Sequence, residues 1–418
     1  MFRMFVAFAA LLGLLAPAPA APPAPEKVDP DPKSLEIPTD ELSKARALVQ
    51  KLGSEAFVDR ETAERDLAAM GRLARLALLD GVNRDPDPEI RARCRSLLPR
   101  ANADEMTARL DAFMADTDGK FEHDLPGWHE LRSVVRGEWK VLGWTFSSRP
   151  DADKAARELF LEFINAPGGK KLLTALGGPP GELGQMVAAR KTELYQMKYP
   201  RVSGVAPRSP AVAEVAVVVF AESRVGARSV PRSTVLTTVL TTSGVPAVVK
   251  GSDDRAVAMR AVMTAWFDSR TEPADLYSAL TLANNMRNDD AAGRLAGRVM
   301  STPGVPGYYK GQALTTLVRL KQADQLSAVE KSFTDSTALT AVTKAVNGMV
   351  VRQTIEVRDA ALAAALILTG QNPDEYGFEG FPKGGAGGTT FSYVWAKIPE
   401  DKRKEAFEKW NAWREKNP

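Results

Sequence analysis

Asp87-Pro88-Glu89-Ile90-Arg91-Ala92-Arg93 is the stretch on which the fold turns. Asp87 is a helix N-cap residue, and Pro88 suits the first helical position because its missing N–H would have had no partner there. Ile90, Cys94, Leu97 and Leu98 then recur at helical spacing and give the helix one apolar face. Upstream, Leu42, Ala45, Val49 and Leu52 mark a helix capped at Thr39 and stopped by Gly53. Ala63, Leu67 and Met70 mark a second helix opened near Asp59; Gly71 breaks it, and Leu73, Leu76, Ala77 and Leu79 continue as a third. Four helices joined by links of a few residues make two antiparallel hairpins, and neither hairpin can bury both its faces alone, so stacking is required.

The Asp87–Arg93 peptide, following a helix that ends Leu78-Leu79-Asp80, resembles the HEAT-repeat pattern in which an Asp and an Arg open the second helix. The same rhythm returns beyond Lys250. Apolar stripes at Ala258, Ala261, Val262, Ala265 and Trp266, at Leu276, Ala279, Leu280 and Ala283, at Ala292, Leu295, Ala296 and Val299, and at Ala313, Leu314, Leu317 and Val318 predict four more helices. Their starts fall near Asp254, Ala274, Asp290 and Tyr308, so alternate starts lie 36 and 34 residues apart, within the pair period of helical solenoids. The block Arg358-Asp359-Ala360-Ala361-Leu362-Ala363, with Leu368-Thr369-Gly370-Gln371-Asn372-Pro373-Asp374-Glu375-Tyr376-Gly377-Phe378, resembles exported bacterial HEAT-like proteins, a family with no assigned activity. Leu125-Pro126-Gly127-Trp128 and Ala156-Arg157-Glu158-Leu159-Phe160-Leu161-Glu162 are similar to the same family. The expected fold is therefore all-α, a HEAT-like superhelix of helical hairpins with an irregular C-terminal segment.

Six stretches follow from this reading. Residues 1–20 carry Arg3, an apolar run over 4–15 and the small-residue ending Ala18-Pro19-Ala20, the grammar of a signal peptide cleaved after Ala20. Residues 21–38 hold six prolines and read as an extended linker. Residues 39–105 hold the first hairpins, 106–250 a mostly helical middle, 251–350 the second array, and 351–418 a C-terminal segment with a glycine-rich loop and a capping helix over 399–416. Valine- and threonine-rich 215–220 and 235–240 have strand propensity, but their spacing favours helices. Residues 350–357 alternate weakly and predict a short extended segment. The run over 212–221 is interrupted by Glu214 and bounded by Glu222, so after signal removal no membrane insertion is expected.

The chain has 418 residues and a formal charge of +3, which argues against a dedicated nucleic-acid binder. Two histidines and one cysteine leave no internal disulfide, zinc finger or iron–sulfur site. Cys94, on an apolar stripe, reads as buried and inert. The densest set of metal-capable side chains is His123, Asp124, His129 and Glu130, with Glu122 beside them. The histidine spacing places the two rings on opposite faces of a continuous helix, and the His-Glu-x-x-His arrangement is absent, so structural roles are expected, with no metal and no cofactor. Ser203 and Ser243 stand outside a Gly-x-Ser-x-Gly elbow, and the loop Gly384-Gly385-Ala386-Gly387-Gly388-Thr389 lacks the following Gly-Lys-Ser/Thr of a phosphate loop. Asp253-Asp254 and Asp289-Asp290 read as helix-start charges, and Trp128, Trp139 and Trp144 as core rather than as an aromatic binding surface.

The function expected from this is a non-enzymatic protein-binding scaffold of the bacterial cell envelope, periplasmic or extracellular, with a protein or peptide partner. The alternatives are a metal-assisted hydrolase using the His123/His129 region with Asp124, and a passive envelope component that associates with itself. Expression of the full chain in a bacterial host is expected to yield an exported protein beginning at Ala21, and its intact mass checks this.

Overall fold

The structure, a computed structural model, describes residues 28–141, 144–201, 204–225, 235–346, 349–382 and 391–417. Outside them lie the expected signal peptide, the start of the linker, Ser203 and the glycine-rich loop. The protein is mostly helical. It divides into two compact units, the first ending at His123 and the second beginning at Asp124.

The first unit contains α1 (Thr39–Lys51), α2 (Phe57–Met70), α3 (Arg75–Arg84) and α4 (Pro88–Ala115). They pack as the apolar stripes demand: Ala45, Val49, Leu52, Ala63, Leu67, Ala77, Leu78, Ile90 and Cys94 form one core. Asp87 caps α4 by accepting from the Glu89 N–H at 2.8 Å. Pro38 rather than Thr39 stands at the cap of α1. The boundary expected at 105 falls inside α4, which runs on past Pro99 and buries Ala101, Ala112 and Phe113. That burial outweighs the helical rung which a proline cannot make. Residues 28–38 are not wholly extended. Pro32–Leu35 is a 3-10 turn capped by Asp31, and Arg72 donates to the Leu35 carbonyl at 2.8 Å.

The second unit opens with α5 (Trp128–Arg136), a hairpin of β1 (Glu138–Val141) and β2 (Trp144–Ser147), then α6 (Asp153–Asn165), α7 (Gly169–Ala175) and α8 (Pro180–Lys198). It continues with α9 (Val212–Arg224), α10 (Val235–Thr242), α11 (Val245–Val249), α12 (Asp254–Asp268), α13 (Pro273–Asn285), α14 (Asp289–Ser301), α15 (Gly307–Arg319) and α16 (Leu326–Glu330). The starts of α12 to α15 fall within one residue of the positions expected from their stripes. A second antiparallel hairpin, β3 (Ala338–Val346) with β4 (Met349–Glu356), contains residues 350–356 of the extended segment expected at 350–357 and leads into α17 (Val357–Leu368), which takes residue 357; α18 (Glu400–Lys416) follows.

Helices α9 and α17 are enclosed. In α9, residues 214–222 are all buried, and α17 is buried from Val357 to Leu366 except at Arg358. The valine-rich 215–220 and the 235–240 segment are both helical, in α9 and α10. Helix α9 packs against α8 and α12, α12 also meets α5 and α6, and α13, α14 and α15 pack in succession.

Enclosure forces α9 to satisfy two buried carboxylates. Glu214 accepts from Arg190 at 3.0 Å and Arg208 at 3.3 Å, and Glu222 accepts from Lys191 at 2.7 Å and from the Trp266 indole N–H at 2.8 Å. At α17, buried Asp359 takes both arms of the Arg403 guanidinium, at 2.8 and 3.0 Å.

Cys94 is completely buried in the first unit, where burial pushes its thiol from the ordinary 9.0 up to about 11. The folded chain then holds its proton through a window in which the unfolded chain has lost it, so this contribution is present below pH 9 and disappears as pH rises toward 11. The stability difference between wild type and Cys94→Ala, measured by denaturant unfolding, is expected to narrow by about 2 kcal/mol between those two pH values.

Candidate interaction surface

The β1–β2 hairpin begins where α5 must stop. Gly137 closes α5 in the left-handed region, at φ 61°, and a Cβ there would run into Ser148. The last carbonyls of a helix have no partner within it. Here the returning arm supplies them: Ser147 Oγ donates to the Arg136 carbonyl at 2.8 Å, the Arg149 N–H to the same carbonyl at 3.0 Å, and Arg149 Nε to the Val135 carbonyl at 2.7 Å. These bonds pin the base of the hairpin by its polar groups.

Register then decides which side chains share a face. Trp139 stands opposite Phe146 and Val141 opposite Trp144, so all four side chains share one face of the ribbon. Glu138, Lys140, Thr145 and Ser147 take the other. The apolar face is open: Trp139 is 50% exposed, Val141 49%, Trp144 74% and Phe146 47%. The rings of Trp139 and Phe146 stack with centroids 5.9 Å apart and planes 20° from parallel. The expectation that the three tryptophans form core therefore holds only for Trp128, which is buried edge-on to Phe160. Trp139 and Trp144 lie outside the core because Gly137 ends α5 and both fall on the hairpin that follows. The sequence signal was the alternation of 139 with 141 and of 144 with 146 around a glycine-containing pair, which is a hairpin pattern rather than a helical one.

The four metal-capable residues occupy different settings. His123 belongs to the first unit, buried, with Nε2 3.0 Å from Asp116 Oδ2 and its ring edge-on to Phe113. Asp116 also accepts from the N–H groups of Lys120 and Phe121, so this pair organises the turn that leaves α4. Asp124 is exposed at the start of the second unit. His129 and Glu130 lie in the first turn of α5, where His129 is exposed and the Glu130 carbonyl accepts from Arg224 at 3.0 Å. Among the described residues no group of three or more His, Cys, Asp or Glu side chains could hold a metal ion. Ser243 donates to the Leu240 carbonyl at 3.0 Å, and Asp253 caps α12 by accepting from the Ala256 N–H at 2.8 Å. Asp289 and Asp290 stand in the first turn of α14 behind the capping Asn288. Among the described residues no helix is long and apolar enough to cross a membrane.

Compared with known proteins, the chain matches no family model, no curated protein and no solved structure.

Because Trp144 touches mostly water, Trp144→Ser is expected to change unfolding free energy by no more than about 0.5 kcal/mol. Trp128→Ala is expected to cost about 3–5 kcal/mol. Chemical denaturation of the two variants checks the contrast.

Proposed function

We propose that the protein is a non-enzymatic protein-binding scaffold, exported to the bacterial cell envelope, which engages a protein or peptide partner through the apolar face of the β1–β2 hairpin. The observation that carries this reading is the face itself, four neighbouring apolar side chains turned to water on a ribbon anchored at its base by Ser147 and Arg149. Contiguous exposed apolar groups rimmed by polar ones mark interaction sites, and tryptophan is the side chain most enriched among residues that dominate binding energy. The ribbon also has two outer strand edges, and an extended peptide can add to either.

The successive packing of α12 to α15, with starts recurring at the solenoid pair period, supports reading this part as a HEAT-like superhelical array that presents the hairpin on a rigid body. The composition, with near-balanced charge, fits neither nucleic-acid binding nor metal chemistry as the main activity.

The test is affinity capture from a native envelope extract, with residues 21–418 as bait, crosslinking and mass spectrometry. It is run beside the triple variant Trp139→Ser, Trp144→Ser, Phe146→Ser. A partner crosslinked at the hairpin and reduced at least about tenfold in the variant is the expected result, since removing central aromatic anchors typically costs more than 1–2 kcal/mol each. Equal capture by both proteins sinks the hairpin as the docking element, and self-crosslinks alone favour passive self-association.

A further inference from the structure

Four of the seven tyrosines of the chain meet at one place in the second unit. Tyr277 of α13 and Tyr309 of α15 lie face to face, with ring centroids 3.9 Å apart and planes 14° from parallel. Tyr308 meets Tyr277, Tyr309 and Tyr393 edge-on, at 6.0, 5.9 and 6.4 Å. Gly311, one turn along α15, leaves the space that the Tyr393 ring fills, since a Cβ there would lie 3.0 Å from it.

The two rings are stacked, with planes close to parallel. At 3.9 Å the two carbon frames are at van der Waals distance. The pair also has an exit to solvent. Tyr308 is 44% exposed, and Gln312 donates to the Tyr308 hydroxyl at 3.4 Å. A charge introduced at the exposed ring of Tyr308 is thus in edge-on contact with both half-buried partners.

We propose that Tyr277 and Tyr309 are a site of oxidative modification, at which a one-electron oxidant of the peroxidase class joins the two rings into an intramolecular dityrosine. Each phenol gives up one electron and its hydroxyl proton to become a phenoxyl radical. The radicals join through a carbon ortho to each oxygen, and the two ring hydrogens at those carbons move to the oxygens as aromaticity returns. One hydrogen peroxide takes the two electrons and two protons and leaves as two waters. The product is a covalent clamp between α13 and α15, and it lies in a chain whose single cysteine leaves it no internal disulfide.

The full chain is treated with hydrogen peroxide and a haem peroxidase, and the products are digested and mapped by mass spectrometry alongside dityrosine fluorescence. The expected result is a crosslinked peptide pair joining Tyr277 to Tyr309 within one chain, lighter by two hydrogen atoms, accompanied by a raised melting temperature. Tyr277→Phe and Tyr309→Phe each remove this product while keeping the packed ring, and Tyr308→Phe slows its formation several-fold. Tyr195 of α8 and Tyr199 just past its end, 4.9 Å apart but tilted by 43°, form the internal comparison. Dityrosine found only between chains, or only at Tyr195 and Tyr199, overturns the proposal, as does its absence from wild-type protein under conditions that crosslink free tyrosine.

Discussion

The carboxylate of Glu222 governs the second unit. It is 3% exposed, and its two oxygens take the Lys191 ammonium and the Trp266 indole N–H. A buried carboxylate without partners carries a penalty of several kcal/mol, and removing one member of a buried pair typically costs about 3–5 kcal/mol. The three residues come from α8, α9 and α12, so satisfying this one group sets how those helices meet. Arg270 adds its guanidinium over the Trp266 ring at 4.9 Å, which closes the solvent side of the cluster. With α12 so placed, α5 and α6 pack on it, and α5 in turn carries the aromatic ribbon.

That ribbon illustrates how polar needs can decide where apolar groups go. The open carbonyls at the end of α5 draw in Ser147 and Arg149, and the strand pleat then sends the side chains at 139, 141, 144 and 146 to the opposite face. The resulting exposure is maintained by hydrogen bonds at the base, and a partner that covers the face would recover the burial that the isolated chain forgoes.

Much of the helical organisation was legible in the chain, and for a local reason. Asp87, Pro88 and Asp253 act on backbone groups within three residues, and the stripes of α12 to α15 repeat every few positions, so both signals survive without knowledge of the partner surface. Trp139 and Trp144 sit outside the core expected for them, because residue type alone does not reveal where a helix stops; Gly137 and the alternation beyond it do. Glu214 and Glu222 broke an apolar run in sequence and seemed to mark its polar limits, yet both lie inside α9. Their partners Arg190, Lys191 and Trp266 are 24 to 44 residues away, beyond any window of pattern reading. The cluster of tyrosines was hidden for the same reason, since α13, α15 and Tyr393 come together only through packing.

The sequence by itself determined that the chain is mostly helical, where the helices of the α12 to α15 run begin, and that few chemical groups are present for metal or thiol chemistry. These follow from local backbone rules and from composition. Only the tertiary structure decided which apolar side chains remain outside, which charges are buried in pairs, and which rings touch. Each of those depends on surfaces contributed by distant segments, and the free energy of a buried or exposed group is set by its neighbours in space.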